Sequence, residues 1–231
     1  MRSGLLIAHP DDEAWAFTAP LLAFDAPIAV YCATKGDAGS DLSGSELRGS
    51  SLGEARWGEL MRSLDAIVGE GNYTVDGGEF GDGRTVDSPD ELRKRVDAWA
   101  DRHALDRIVT WGPAGGYGHV DHIACFESAM DVARARGVEC WGAVLPSIPA
   151  QALYRALRRR FRLPIVAEDF DERLHRERID VALPVDRDAK ARAIRAHRTQ
   201  LGDRPADSFV YPALTRVLLD EERFMVFNPT P

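Results

Sequence analysis

The stretch Gly4-Leu5-Leu6-Ile7-Ala8-His9-Pro10-Asp11-Asp12-Glu13 decides the fold. Its first half is an apolar run that reads as a buried strand. Its second half sets one histidine and three carboxylates within five residues, at the end where that strand leaves the core. So much charge beside a core strand is costly unless an opposite charge meets it, and a divalent cation is the natural partner. A second cluster, Gly116-Tyr117-Gly118-His119-Val120-Asp121-His122, stands more than a hundred residues later. Together the two clusters point to metal-assisted hydrolysis.

Outward from this stretch, strand and helix patterns alternate. Apolar, β-branched runs predict strands over residues 4–8, 28–33, 73–75, 107–111, 140–145 and 179–183, with a last apolar run at 224–227. Helical periodicity covers residues 11–24, 52–68, 120–136 and 186–201. Another helix opens at Ser88-Pro89-Asp90-Glu91, an N-cap followed by proline in the first turn, and runs to residue 103. Such alternation predicts an α/β fold: a Rossmann-like open sheet, mostly parallel, with helices on both faces. The chain has no internal repeat and no linker, so residues 1–231 read as one domain. Residues 151–178 break the pattern with Arg155, Arg158, Arg159, Arg160 and Arg162, then an acidic stretch. This charge run reads as a solvated helix face, or else as a lid that meets a negative group.

In open parallel sheets, ligands bind beyond the carboxyl ends of the strands, where the strand order reverses. If the order is 3-2-1-4-5, strands one and four are neighbours at that point. His9–Glu13 and His119–His122 then share one crevice. His9 and Asp12 are three residues apart at a helix start, so both can reach one ion while Asp11 points elsewhere. His119 and His122 have the same spacing, so one can bind metal while the other stays nearby. Two histidines and one carboxylate leave an open fourth position, the pattern of a catalytic zinc. Such an ion lowers the pKa of a water and polarises a carbonyl, and a free carboxylate beside it can take the water's proton. Taken singly, either cluster also reads blandly: a His-Pro-Asp turn as a helix start that complements the dipole, Gly-His-x-Asp-His as a surface loop.

Composition bounds the partners. The net charge of −8 argues against nucleic acid, and no apolar run reaches the length of a membrane span. Cys32, Cys125 and Cys140 are widely spaced and lack a C-x-x-C, as expected of buried thiols in a reducing, cytoplasmic setting. No signal-peptide pattern precedes the first strand. Trp57 and Trp111 read as core, and His103 and His175 as surface residues. His197 reads either as a packed or capping helix histidine or as part of a motif.

The chain resembles the LmbE-like, PIG-L superfamily of zinc-dependent de-N-acetylases. The resemblance rests on Ala8-His9-Pro10-Asp11-Asp12-Glu13 and on Gly115-Gly116-Tyr117-Gly118-His119-Val120-Asp121-His122, where the family usually has proline at position 120. It extends to Thr34-Lys35-Gly36-Asp37-Ala38-Gly39, Arg56-Trp57-Gly58-Glu59-Leu60, Asp82-Gly83 and His197-Arg198-Thr199-Gln200. It implies His9, Asp12 and His122 as ligands of Zn2+, a set that also suits Fe2+. It implies Asp11 as the base and His119 as the oxyanion stabiliser, or the acid toward the leaving amine. Asp121 would orient His119, and Tyr117 would stand near the reacting carbonyl. Arg56 and Asp82 match positions that bind sugar hydroxyls or a neighbouring polar group. Glu13 is explained equally by helix-start chemistry and by catalysis. Gly112 stands where the family often has aspartate, which removes a carboxylate behind a ligand histidine.

The expected reaction is removal of an N-acyl group, foremost acetyl, from an amino sugar or glycoconjugate. The substrate is then a small molecule, and a homo-oligomer is the family expectation. Amidases of thiol conjugates and deacylases of antibiotic sugars share the motifs, with the pocket set by residues 40–49 and 151–170. A non-haem iron oxygenase using His119-x-Asp121 and a distal histidine is a rival of another class. A sugar-binding module without catalysis is another, although it would have no use for Asp11.

Overall fold

The computed structural model describes residues 1–160 and 165–228. Arg162 of the basic run therefore lies outside the described residues. Seven strands form one sheet: β1 (Ser3–Ile7), β2 (Ile28–Thr34), β3 (Tyr73–Phe80), β4 (Arg107–Trp111), β5 (Glu139–Val144), β6 (Val181–Pro184) and β7 (Glu221–Phe227), in the order β3-β2-β1-β4-β5-β7-β6. The pairings among β1 to β5 are parallel, while β7 runs antiparallel to both β5 and β6. The order 3-2-1-4-5 assumed from the sequence is the observed one.

The central strands are buried on both faces, as parallel strands covered by helices must be. Alternate side chains feed two cores. Leu5, Ile7, Val30, Cys32, Val109 and Trp111 face one; Leu6, Ala8, Ala29, Tyr31, Ala33 and Ile108 face the other. Gly4 is required in β1 because a Cβ there would stand 2.4 Å from Leu105 and 2.6 Å from Trp99.

The first core is covered by α1 (Asp12–Ala16), α2 (Thr18–Ala23) and α3 (Gly49–Val68). The second is covered by α4 (Pro89–Arg102) and, after the kinked turn α5 (Gly115–Gly118), by α6 (Val120–Arg136). Then come α7 (Ser147–Arg160), α8 (Phe170–Leu174), α9 (Arg187–Ala196), α10 (Arg198–Leu201) and α11 (Pro212–Leu218). No helix is long and apolar enough to cross a membrane among the described residues.

Three elements differ from expectation. The helix expected over 11–24 breaks at Phe17 (φ −134°, ψ 16°), and that over 186–201 breaks at His197 (φ −85°, ψ 64°). β3 is longer than its apolar centre, because Asp76, Gly77 and Phe80 continue the pairing with β2 across a register shift. Lys190 of α9 and Glu222 of β7 form a fully buried ion pair at 2.5 Å. Glu222 also accepts the backbone N–H groups of Thr18 and Ala19, which fixes the start of α2.

Candidate active site

β1 and β4 are neighbours, so the turns that leave their carboxyl ends converge. The Pro10-Asp11 turn starts α1, with Asp12 in the first helical position. Its carboxylate folds back, and Oδ2 accepts the N–H groups of Ala8 and His9 at 3.0 Å each. His119 caps α6, its Nδ1 accepting the N–H of Asp121 at 3.2 Å. Asp121 and His122 then project from the first turn of α6. Ahead of them, Gly116 (φ 70°) and Gly118 (φ 89°) take left-handed geometries that suit glycine. At Gly118, Tyr154 and Phe170 also leave little room for a Cβ.

His9 meets His119 edge to face and His122 at a tilt, while His119 and His122 are stacked. His9 Nδ1 lies 3.2 Å from His122 Nε2, and Asp12 Oδ1 lies 3.3 Å from the same atom. The bonds on the far sides assign the tautomers. His122 Nδ1 is 3.1 Å from the carbonyl of Gly115, so it carries the hydrogen and Nε2 is left with a lone pair. His9 Nε2 lies 3.1 Å from Asp82 Oδ1 and 3.2 Å from Asp121 Oδ2, so it donates and leaves Nδ1 with a lone pair. His9 Nδ1, His122 Nε2 and Asp12 Oδ1 are thus three acceptors turned toward one another, which only a proton or a cation between them relieves. His119 differs. Its Nδ1 is taken by a backbone N–H, so its Nε2 carries the hydrogen and is a donor. The ligand-capable atoms of His9, His119 and His122 all lie within 4.8 Å of one another, as do those of His9, Asp82 and Asp121.

Electrostatics separate the two aspartates. Burial disfavours the charge of Asp12, but His122 and His9 outweigh it and hold the carboxyl well below the usual range. At Asp11, burial and the adjacent Asp12 charge outweigh His9, His197 and Arg56 and push the carboxyl up to about 7. Its side chain does not cap α1. His119 is held down at about 3 by burial and by His9 and His122, so it is neutral near pH 7. Burial opposes a charge on His9, yet Asp82, Asp121 and Asp12 raise its pKa well above the ordinary value. Burial and the surrounding carboxylates keep the Tyr117 phenol protonated.

The other sequence-derived residues have definite places. Asp121 is fully buried and accepts from Gly83 N, Thr85 N and Thr85 Oγ1 as well as facing His9. Its oxygens are thus committed to His9 and to the turn after β3, which leaves the oxygenase triad no free carboxylate. Asp82 also accepts the N–H of Ala38, tying the turn after β2 to His9. Tyr117 packs 5.8 Å from His119 and 5.4 Å from His122, ring centre to ring centre. Arg56 is buried, and its two terminal nitrogens donate to the carbonyls of Gly36 and Ser40. Trp111 is core and also stacks flat on His122, 4.3 Å apart with 4° between the planes. Arg155 and Arg158 donate within α7, to Gln151 and Tyr154. His103 is half-buried against Asp76, His175 is exposed, and all three cysteines are free and buried.

Sequence reasoning missed Thr85 and Glu177 behind the site and, although Glu13, Glu59, His197 and Thr199 stand in its motifs, it did not pair them. Thr85 holds Asp121, Glu59 accepts from the N–H and hydroxyl of Thr199, and Glu177 accepts the N–H of Ala114. His197 and Glu13 form a fully buried pair at 2.5 Å. Nothing in the local pattern announces these partners, since each lies tens to almost two hundred residues away.

Comparison with known proteins identifies the family. The family model described as "PIG-L: GlcNAc-PI de-N-acetylase" matches residues 5–133, which include both clusters. A 1D-myo-inositol 2-acetamido-2-deoxy-alpha-D-glucopyranoside deacetylase of Corynebacterium diphtheriae is 30% identical over 225 residues, covering 84% of this chain and 74% of that one. Among solved structures, the N,N'-diacetylchitobiose deacetylase of Pyrococcus horikoshii superposes with a TM-score of 0.68 at 17% identity, over 98% of this chain and 84% of that one. The 4-carboxy-2-hydroxymuconate hydratase of Pseudomonas putida reaches 0.60 at 16% identity, over 100% and 98% of the two chains, so the fold alone does not choose the reaction. On the match over residues 5–133 and on the likeness to the corynebacterial enzyme, this chain belongs to the PIG-L, LmbE-like family of deacetylases.

Proposed function

We propose that the chain, acting as one domain, hydrolyses the N-acetyl group of an amino-sugar conjugate of the glucosaminyl-inositol type. The observation that carries this reading is the trio of acceptor atoms on His9, Asp12 and His122, with a free carboxylate on Asp11 and a donor on His119 beside it. Two imidazole nitrogens and one carboxylate oxygen are a donor set that suits Zn2+, and Fe2+ as well. When bound there, the cation acidifies a water and polarises the amide carbonyl.

The remaining steps belong to the chain's own residues. Asp11, with its carboxyl pushed up to about 7, is a base matched to neutral pH and takes the proton of the attacking water. His119, neutral, donates its Nε2–H to the oxygen that gains charge as the carbonyl becomes tetrahedral. The C–N bond then breaks, and the amine leaves with the proton held at Asp11. This assigns the proton to Asp11 because a histidine held near pKa 3 has no second proton to give. Asp82 and Asp121 keep the Nε2–H of His9 engaged, so that Nδ1 stays available. Tyr117 stays a phenol and offers its O–H from the turn before His119. Asp82 and Arg56 bound the sugar side of the crevice, Arg56 by pinning the 36–40 turn.

The likeness to inositol-linked glucosaminide deacetylases supports this choice of substrate class. The test supplies metal-loaded protein with N-acetylglucosaminyl-inositol, N,N'-diacetylchitobiose, an N-acyl thiol conjugate and an N-acyl glycopeptide sugar. Equal amounts of acetate and free amine are expected, with the inositol conjugate turned over best. Turnover confined to the thiol conjugate or the glycopeptide would overturn the substrate class. Absence of amide cleavage on every substrate would overturn the reaction.

A further inference from the structure

The segment that follows α9 returns to the Pro10–Glu13 turn at two points. Gln200 Nε2 donates to the carbonyl of Pro10 at 2.7 Å. His197 Nε2 donates to Glu13 Oε1 at 2.5 Å, with both side chains fully buried. The segment is itself anchored, since the N–H and hydroxyl of Thr199 bond to Glu59 on α3, at 2.8 and 2.6 Å. The two contacts bracket Asp11, one residue before it and two after.

Asp11 stands at the N-cap position of α1, where aspartate ordinarily adopts extended backbone and accepts a helix N–H. Here its φ is 157° and its ψ −23°, outside the relaxed regions for a non-glycine residue, and it makes no cap bond. A carboxylate that capped the helix would have its lone pairs occupied by backbone N–H groups and would be a poor base. The distortion therefore has a chemical consequence: it keeps the Asp11 carboxylate unbonded.

We infer that Gln200 and His197 are positioning residues that hold the Pro10–Glu13 backbone in the one conformation that keeps Asp11 from capping α1. The inference rests on Asp11 being the base of the proposed reaction. With the Gln200 tie cut, Asp11 relaxes toward an ordinary N-cap. Helix α1 is then better capped, while the base is lost. A residue that only supported the fold would lower stability and activity together; this one lowers activity without lowering stability.

The test uses Gln200→Met, which keeps the length and loses the donor, with Gln200→Ala as a second variant. Gln200 is only half-buried, so neither change opens the core. The expected result is a fall in kcat of about 10²-fold with KM within about twofold, since small misplacements of a catalytic group cost that much. Zinc content stays as in the parent, Tm does not fall, and a crystal structure of the variant has Asp11 in extended N-cap geometry. An unchanged kcat would overturn the inference, and so would a loss of activity accompanied by lost zinc or a lowered Tm. If the parent cleaves no N-acetyl substrate, the reading of the reaction fails instead. The Asp11 backbone of Gln200→Met then decides the positioning claim on its own: movement to the N-cap supports it, and an unmoved Asp11 overturns it.

Discussion

The Nε2 atom of His122 lies 3.2 Å from the Nδ1 atom of His9, and the bonds on the far side of each ring leave both atoms as acceptors. Asp12 adds a third acceptor at 3.3 Å. Three lone pairs this close repel unless something positive sits among them; without a cation that is a proton on His9, whose pKa the carboxylates raise, and a cation that replaces it stabilises the fold by binding linkage. Removal of metal by a chelator is expected to lower Tm by roughly 5–10 °C, as follows from about 2.7 kcal/mol of binding linkage at a hundredfold excess over Kd. Readdition of Zn2+ restores it. Calorimetry with and without chelator checks this, and an unchanged Tm would contradict it.

His119 belongs to the same histidine cluster but is a donor by its bond to Asp121 N. His119→Ala is therefore expected to keep the full metal content and lose about 10²–10³-fold in kcat, the cost of one oxyanion donor. Metal analysis of the purified variant decides between the roles. Loss of the ion would make His119 a ligand.

Glu177 carries a pH dependence of stability. Its carboxyl is pushed up to about 8 by burial, against an ordinary value near 4.5, with only the Ala114 N–H opposing. A raised folded-state value means that the native protein holds the proton more tightly than the unfolded chain. The contribution is whole below about pH 4.5 and is lost as pH rises toward 8. Glu177→Gln removes this loss. Urea unfolding is expected to rank the variant above the parent by at least about 1 kcal/mol at pH 8.5 and within about 0.5 kcal/mol at pH 5. The reverse order at pH 8.5 would refute the assignment.

Lys190 and Glu222 face each other in a fully buried contact that also fixes Thr18 and Ala19. Lys190→Met leaves the Glu222 charge alone in the core and is expected to cost about 3–5 kcal/mol. Lys190→Met combined with Glu222→Gln is expected to recover part of that, because the isolated charge is gone. Denaturant midpoints of the single and double variants check both statements.

The sheet was readable from the chain because its centre obeys simple rules. Residues 4–8, 28–33 and 107–111 are apolar runs with turn chemistry after them, and parallel strands buried on both faces look like that. The convergence of the His9–Glu13 and His119–His122 turns followed from the neighbourhood of strands one and four, while the choice of His122 over His119 came from the family resemblance. The antiparallel direction of β7 carries no such signal, since a terminal apolar run fits either direction. The two helix breaks differ in kind. Pro20 has no N–H for the carbonyl of Ala16 and its ring crowds that carbonyl, so the break at Phe17 had a local signal. At His197 the periodicity continues across the break, and the buried bond to Glu13 accompanies the change of backbone. The pairing of His197 with Glu13 spans 184 residues, and neither neighbourhood announces the other. The resemblance offered Arg56 as a partner of sugar hydroxyls or of a neighbouring polar group, and the bonds it makes in the fold run to the carbonyls of Gly36 and Ser40.

The most direct test titrates metal-free protein with Zn2+ and follows acetate release from N-acetylglucosaminyl-inositol, for the parent and for Asp11→Asn. The expected result is that activity rises from zero to a plateau at one ion per chain. Asp11→Asn is expected to bind the same ion with turnover lowered by about 10²–10⁴-fold. Full turnover without metal, or an Asp11→Asn protein as active as the parent, would contradict the account.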